Sequence, residues 1–341
     1  MAQQYACNQP STFKNHIQNI AIVGAAGQVG KFISSALLEK NKFKITAITR
    51  EGSTNTPVPG IHIAAVDYDK PDTLVEALKD HDVLIITMSV RAPPGQSAKL
   101  IEAAAKAGVP WVLPNEFGGD GTNEELGRDI VIGPGKKKDR DLIESLGVSS
   151  WIGIACGFWY EYSLAGPGLY GIDIAKREVV FFDDGKQRLN TSTWPQTGRA
   201  IAQLLSLPIL PQDENDKNVT LSSYRNRFVF VSSFTLNQRE MLDSVQRVTG
   251  TTNADWEISS VPAKQRFEEA QKRMATGDYR AFATVLYTRA FFPGDNAALF
   301  EVTHGLDNEK LGLPKEDLDE YTKESVKLAE SGYFAKIFGS S

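Results

Sequence analysis

Three consecutive lysines, Lys136, Lys137 and Lys138, open the segment GPGKKKDRDLIESLG, Gly133 to Gly147. Pro134 and Gly135 read as the start of a helix, Leu142, Ile143 and Leu146 as its apolar face, and Gly147 as its C-terminal stop. An ammonium in a first turn opposes the positive end of the helix dipole at about 0.3–1 kcal/mol each when exposed, so the cluster needs a reason. At about 100° per residue Lys137 points away from the apolar face, and Asp139, Asp141 and Glu144 make it part of a solvated charge cluster. Lys136 and Lys138 flank that face. An ammonium there can stabilise negative charge developing on a conjugated oxygen, and where burial lowers its pKa it can pass a proton. It can equally hold ribose hydroxyls.

A second set of residues suits a nucleotide. GAAGQVG places Gly24, Gly27 and Gly30, with Ala26, Gln28 and Val29 among them, between an apolar strand pattern and a helical one. The glycines allow a tight turn and a close backbone approach, and the free N–H groups of the helix start face a pyrophosphate. A strand follows about 20 residues on, the context a dinucleotide fold requires. That strand, KITAITR, ends on Arg50 where an acid would accept from a free ribose 2′-hydroxyl. A guanidinium suits a 2′-phosphate, so the expected cofactor is NADPH or NADP+.

Further candidates fall at strand ends. Asp67, after IHIAAV, either accepts from the adenine amine or caps the following turn. Thr87 and Ser89 close DVLIIT and either bond the ribose or satisfy backbone groups. Asn115 and Phe117 in LPNEFGGD, and Cys156 in ACGFW, lie at the same edge; Cys156 reads as a small buried hydrophobe rather than a nucleophile. Phe158, Trp159, Tyr160 and Tyr162 follow directly, a cluster suited to stacking on a flat aromatic or polyketide-like substrate, although a ring-packed core is the default for any one of them.

The elements that must position these residues alternate strand and helix through the first half: NIAIVG, 28–41, KITAIT, IHIAAV, 71–80, DVLIIT, 95–108, WVLP, the lysine helix and SSWIGIA. Apolar strands in such alternation predict an α/β fold with a Rossmann-type doubly wound parallel sheet. Residues 1–18 read as a loose arm and 19–156 as the NADP(H)-binding Rossmann domain, with 191–250 returning to it. Residues 157–190 and 251–341 form a smaller α+β substrate lobe. In the second half REVVFFDDGKQRLNTS predicts a hairpin turning at Asp184–Gly185, and Thr235-x-x-Gln238 predicts a capping box opening a helix of about three turns.

Composition narrows the function classes. The 41% hydrophobic and 23% charged content suits a soluble globular chain with a large core. A net charge of −5 with no basic stripe argues against nucleic acid or an anionic membrane as partner. The polar N-terminus lacks the apolar core of a signal peptide, and no run approaches a membrane span. Two cysteines suit a reducing cytosol, so a cytoplasmic location is expected. None of the four histidines has a second histidine or cysteine at metal-ligand spacing, and no G-x-S-x-G elbow occurs.

NIAIVGAAGQVGK, LIEAAAKAGVPWVLPNEFG and KKKDRDLIESLGV together resemble the NmrA-like and isoflavone-reductase-like branch of the atypical short-chain dehydrogenases, and GFWYEYSL, NTSTWPQ and the C-terminal half resemble its fungal members. The resemblance implies NADPH binding by Gly24–Gly30 and Arg50 and, in enzymatic members, a catalytic lysine. Lys136, Arg140, Ile143 and Glu144 fall on that branch's pattern, which gives Lys136 the catalytic position and makes Lys138 the runner-up. Two departures stand out: Ile132 replaces the tyrosine of a Tyr-x-x-x-Lys pair, and Asp139 takes a usually apolar site where it could pair with Lys136 or Lys138. The resulting expectation is an NADPH-dependent reductase of a conjugated or aromatic small molecule. The alternative is a non-catalytic NADP(H) sensor of the NmrA type, in which cofactor occupancy switches binding to a partner protein.

Overall fold

The computed structural model describes residues 3–89 and 92–338. The first half runs β1 (Asn19–Val23), α1 (Gln28–Glu39), β2 (Lys44–Arg50), β3 (His62–Val66), α2 (Pro71–Leu78), β4 (Val83–Ile86), α3 (Gln96–Ala107), β5 (Trp111–Leu113), β6 (Phe117–Gly118), α4 (Glu124–Asp129), α5 (Gly133–Leu146) and β7 (Ser150–Ala155). The chain continues through β8 (Phe158–Trp159), α6 (Tyr160–Ala165), β9 (Ile172–Asp173), β10 (Glu178–Phe182), β11 (Leu189–Ser192), α7 (Trp194–Leu204) and β12 (Arg227–Phe230). It ends with β13 (Phe234–Leu236), α8 (Gln238–Thr249), β14 (Glu257–Val261), α9 (Ala263–Ala275), α10 (Ala281–Arg289), α11 (Phe300–Thr303), α12 (Leu318–Glu330) and α13 (Tyr333–Phe338).

The main sheet has the order β12-β7-β5-β4-β1-β2-β3, with every neighbouring pair parallel and β6 added against β7. Its central strands β1, β4, β5 and β7 are apolar on both faces because both are covered, whereas the edge strand β3 is largely exposed. Ile20, Ile22, Val83 and Ile85 join Ile33, Leu37, Ile201 and Leu204 of α1 and α7 in one core. Ala21, Val23, Leu84 and Ile86 join Leu74, Leu100, Ile101 and Ile143 of α2, α3 and α5 in the other. A third core gathers Tyr160, Leu164, Phe181, Met241, Tyr287, Phe291 and Val326 from the second half.

Several local expectations are corrected. The chain turns at Asp184–Gly185, where the Gly185 N–H donates to the Phe182 carbonyl, but β10 and β11 do not pair as a hairpin. β10 lies between β9 and β14, and β11 between β8 and β13. All four residues of β11 are buried, so it needs neighbours on both edges, and burial rather than the turn selects them. The capping box of α8 is Asn237 with Glu240, not Thr235 with Gln238; Thr235 lies in β13 and its hydroxyl donates to Glu301. Residues 3–18 are not loose. The Ala6 and Cys7 N–H groups donate to Pro211 and Gln212 carbonyls, the Asn15 side chain exchanges two hydrogen bonds with Leu210, and Ile17 is 2% exposed.

The helix α7 escapes the strand-and-helix pattern of the sequence, although Thr193 caps Gln196 and a proline follows at the first turn. In α5 only Ile143 is fully buried: Leu142 is half-buried and Leu146 exposed, so the apolar face is narrower than its spacing implies.

Candidate functional site

The strand order reverses between β1 and β4, which opens a crevice at the carboxyl ends of the sheet. The glycine loop fills the approach to it. Gly24 has φ +79°, and a Cβ there would lie 2.2 Å from the Thr87 carbonyl; at Gly30 it would lie 2.0 Å from the Gly24 carbonyl. Only glycine lets the loop fold this tightly against β4 and the first turn of α1. Gly27 is the N-cap of α1, so no capping side chain covers the N–H groups of Gln28, Val29 and Gly30. With Ala26 half-buried beside them, these residues form a cradle that fits a pyrophosphate. Thr87 is one of its walls, and its hydroxyl donates 2.7 Å to the Val23 carbonyl, the backbone-satisfying arrangement. Ser89 is exposed.

Arg50 is exposed at the end of β2. Asp67 follows β3; its carboxylate accepts the Asp69 N–H at 2.9 Å and pairs with Lys70 at 3.0 Å. Those contacts, the backbone N–H first, hold it below the usual carboxylate range. In this state Asp67 caps its turn.

The lysines separate as the helix periodicity requires. Lys137 is exposed and forms an i,i+4 pair with Asp141 at 2.9 Å, and Lys138 is also exposed. Lys136 is half-buried, its side chain 27% exposed, with its ammonium 3.7 Å from Glu116. Glu116, 2% exposed, also binds Arg140, whose guanidinium donates to the Gly121 carbonyl and lies over the Trp151 and Phe228 rings. At 3.7 Å the Lys136 contact is an ion pair rather than a hydrogen bond, so it places the ammonium without consuming its donors. Carboxylates at Glu116 and Asp141 thus offset the dipole's opposition to Lys136 and Lys137. Asp139 pairs with neither Lys136 nor Lys138 here; it accepts from the Ser97 hydroxyl at 2.7 Å, and burial raises its pKa. The start of α5 is set by close packing on α4, since a Cβ at Gly133 would lie 2.4 Å from the Gly127 Cα.

The ammonium points toward the LPNEFGG edge, 4.0 Å from where a Cβ of Gly118 would be. The same edge holds Asn115, whose amide donates to the Met88 carbonyl at 2.9 Å, and buried Phe117. Cys156 is fully buried beside it, its N–H bonded to the Gly118 carbonyl, and burial pushes its thiol up to about 11. That excludes a thiolate nucleophile near neutral pH.

The four aromatics after β7 do not form one cluster. Phe158 stacks on Tyr287 at 4.2 Å, and Tyr160 is fully buried with its hydroxyl on Thr322, so both belong to the third core. Trp159 and Tyr162 instead meet Trp194, at centroid distances of 6.5 and 6.4 Å. The alternation of β8 sends neighbours to opposite sides. Tyr333 of α13 accepts a hydrogen bond from the Gln28 amide, and Phe334 packs on Tyr162 at 5.1 Å. Glu116, Trp194, Tyr333 and Phe334 are absent from the sequence-derived candidates. Glu116 lies between Asn115 and Phe117, and a charge following the apolar WVLP was a signal; nothing local marks the other three.

Among the described residues no group of histidine, cysteine and carboxylate side chains could hold a metal ion, and no helix is long and apolar enough to cross a membrane.

The NmrA-like family model matches residues 16–165. That segment is similar to the NmrA-like family. It contains the glycine cradle, Arg50 and the Glu116–Lys136 pair. Over more of the chain, oxidoreductase aprR of Aspergillus flavus is 25% identical across 314 residues, 90% of this chain and 98% of that protein. A crystal structure of isoflavone reductase has the same fold, with a TM-score of 0.69 at 21% identity, covering 90% of this chain and 99% of that one. AtPrR2 with NADP+ and (+)-pinoresinol gives 0.65 at 19% identity over 91% and 99%.

Proposed function

We propose that the protein is an NADPH-dependent oxidoreductase that reduces a conjugated or aromatic small molecule. The observation that carries this reading is the half-buried Lys136 ammonium, set by Glu116 beside the carboxyl end of β7 in a sheet whose glycine cradle fits a dinucleotide. The relative aprR is named an oxidoreductase, and AtPrR2 of the same fold binds NADP+, which supports the cofactor class.

NADPH, when bound, supplies a hydride. Gly24–Gly30 would hold its pyrophosphate and Arg50 its 2′-phosphate, with Asp67, Ser89, Asn115 and Phe117 assigned to its remaining parts. Lys136 stabilises the negative charge that reduction leaves on a substrate oxygen, and its ammonium can deliver the proton that quenches it. The buried Glu116 keeps that ammonium in position, and Arg140 keeps Glu116 there.

The test of this reading begins with the cofactor. A charge-assisted contact of about 1.5–3 kcal/mol from Arg50 to the 2′-phosphate implies a ten- to hundredfold preference for NADPH over NADH. Titration of both cofactors against wild type and Arg50→Ala should show the preference in the first and its loss in the second. Equal affinities in wild type would remove the basis for NADPH.

A further inference from the structure

Tyr333 lies at the opposite end of the chain from the glycine loop, yet its hydroxyl accepts from the side-chain amide of Gln28, the first residue of α1. The fold delivers it there in steps. α12 is seated on α6 by the Tyr160–Thr322 hydrogen bond of 2.7 Å and by buried Val326. Gly332, at φ +70°, then turns the chain, and the Ser331 hydroxyl accepts the Tyr333 N–H at 3.2 Å as α13 begins. Phe334 is buried and fixes the new direction. Its ring lies 5.1 Å from that of Tyr162 and 3.2 Å from where a Cβ of Gly166 would be, in space that glycine keeps open.

What Tyr333 meets is an anion cradle without charge of its own. GAAGQVG has neither lysine nor arginine, so a pyrophosphate there is held by backbone N–H groups and the positive end of α1. A further donor on its rim therefore counts. A phenol both donates and accepts. The Tyr333 oxygen accepts from Gln28, but among the described residues its hydrogen has no acceptor. Desolvation raises the pKa of the hydroxyl, so it keeps that hydrogen at neutral pH. A half-buried donor left open beside a site shaped for an anion is placed to be completed by that anion.

We propose that Tyr333 is a cofactor-binding residue: its O–H donates to a pyrophosphate oxygen of NADP(H), so that α13 clasps the cofactor from the C-terminal end of the chain. This rests on the NADP(H) reading of the cradle and adds to it a residue outside the segment 16–165 that matches the family model. The Gln28 amide holds the hydroxyl beside the cradle, and the seat of Phe334 on α6 holds α13 there. By linkage the contact works in both directions: the factor by which the hydroxyl strengthens cofactor binding is the factor by which the cofactor strengthens docking of α13.

The experiment titrates NADP+ and adenosine 2′-phosphate calorimetrically into the full chain and into Tyr333→Phe, which removes the hydroxyl but keeps the ring that meets Phe334. Adenosine 2′-phosphate carries the adenosine and its phosphate but no pyrophosphate. Tyr333→Phe should weaken NADP+ about tenfold or more and leave adenosine 2′-phosphate unchanged. Hydrogen exchange supplies the reciprocal reading. Saturating NADP+ should slow exchange of the α13 amides of wild type by about the same factor, adenosine 2′-phosphate should not, and Tyr333→Phe should lose the slowing. Equal NADP+ affinity in the two proteins, an equal loss for both ligands, or wild-type α13 amides indifferent to NADP+ would each overturn the proposal. A wild type that binds neither ligand would instead overturn the NADP(H) reading, and the role of Tyr333 with it.

Discussion

Lys136→Ala lowers turnover of a reducible aromatic substrate by about a hundredfold or more while leaving the fold and NADPH affinity close to wild type. The expectation follows from where the ammonium sits. It is half-buried, fixed by an ion pair to a carboxylate that is itself locked by Arg140, and a group so pre-organised acts on charge developing in the transition state without reorganising. Lys137→Ala, whose side chain pairs with Asp141 in solvent, should change neither rate nor binding. If Lys136 served only to hold ribose hydroxyls, its loss would appear as weaker NADPH binding with turnover of the bound complex intact. A KM-against-kcat comparison in the two variants separates these outcomes.

Wild-type stability falls steeply with rising pH through the neutral range, and Glu161→Gln removes most of that fall. Glu161 is 4% exposed, and burial, reinforced by the nearby Glu316 and Glu324 carboxylates, pushes its pKa up from an ordinary 4.5 to about 8. Its oxygens accept the Trp194 backbone N–H at 3.1 and 3.2 Å, a contact too weak to reverse the effect. Because the folded-state pKa is raised, the folded protein binds the extra proton. The contribution is complete below pH 4.5 and is lost progressively as pH rises to about 8. A displacement of this size corresponds to a loss on the order of 3–5 kcal/mol across the window. Glutamine keeps a carbonyl acceptor for the Trp194 backbone N–H and cannot ionise. Denaturant titrations of both proteins at several pH values check this, and parallel curves for the two would contradict it.

The sequence made the parallel sheet legible because its information is local and repeated: the central apolar runs are strands buried on both faces, and glycines such as Gly108 and Gly147 mark helix ends. The glycine cradle was legible for the same reason, since a Cβ at Gly24 or Gly30 has no room. The lysine helix was readable in its periodicity, which separated solvated Lys137 from half-buried Lys136. What holds Lys136 was not, because Glu116 lies 20 residues away in the loop between β5 and β6 and Asp139, the nearer carboxylate, turns to Ser97. The second half was harder. Its turn at Asp184–Gly185 was plain, yet the flanking strands enter different sheets because long-range burial outranks a two-residue signal. Nothing near Trp194 or Tyr333 in the chain shows that both meet α1.

The most direct measurement is transfer of the label from NADPH carrying deuterium at the reactive nicotinamide carbon, followed by mass spectrometry of products from a panel of flat, carbonyl-bearing aromatics. Wild type should yield a product with one deuterium, and Lys136→Ala about a hundredfold less of it at saturating cofactor. Firm NADPH binding with no deuterium in any product, and an association with a partner protein that depends on NADPH occupancy, would contradict the reductase reading.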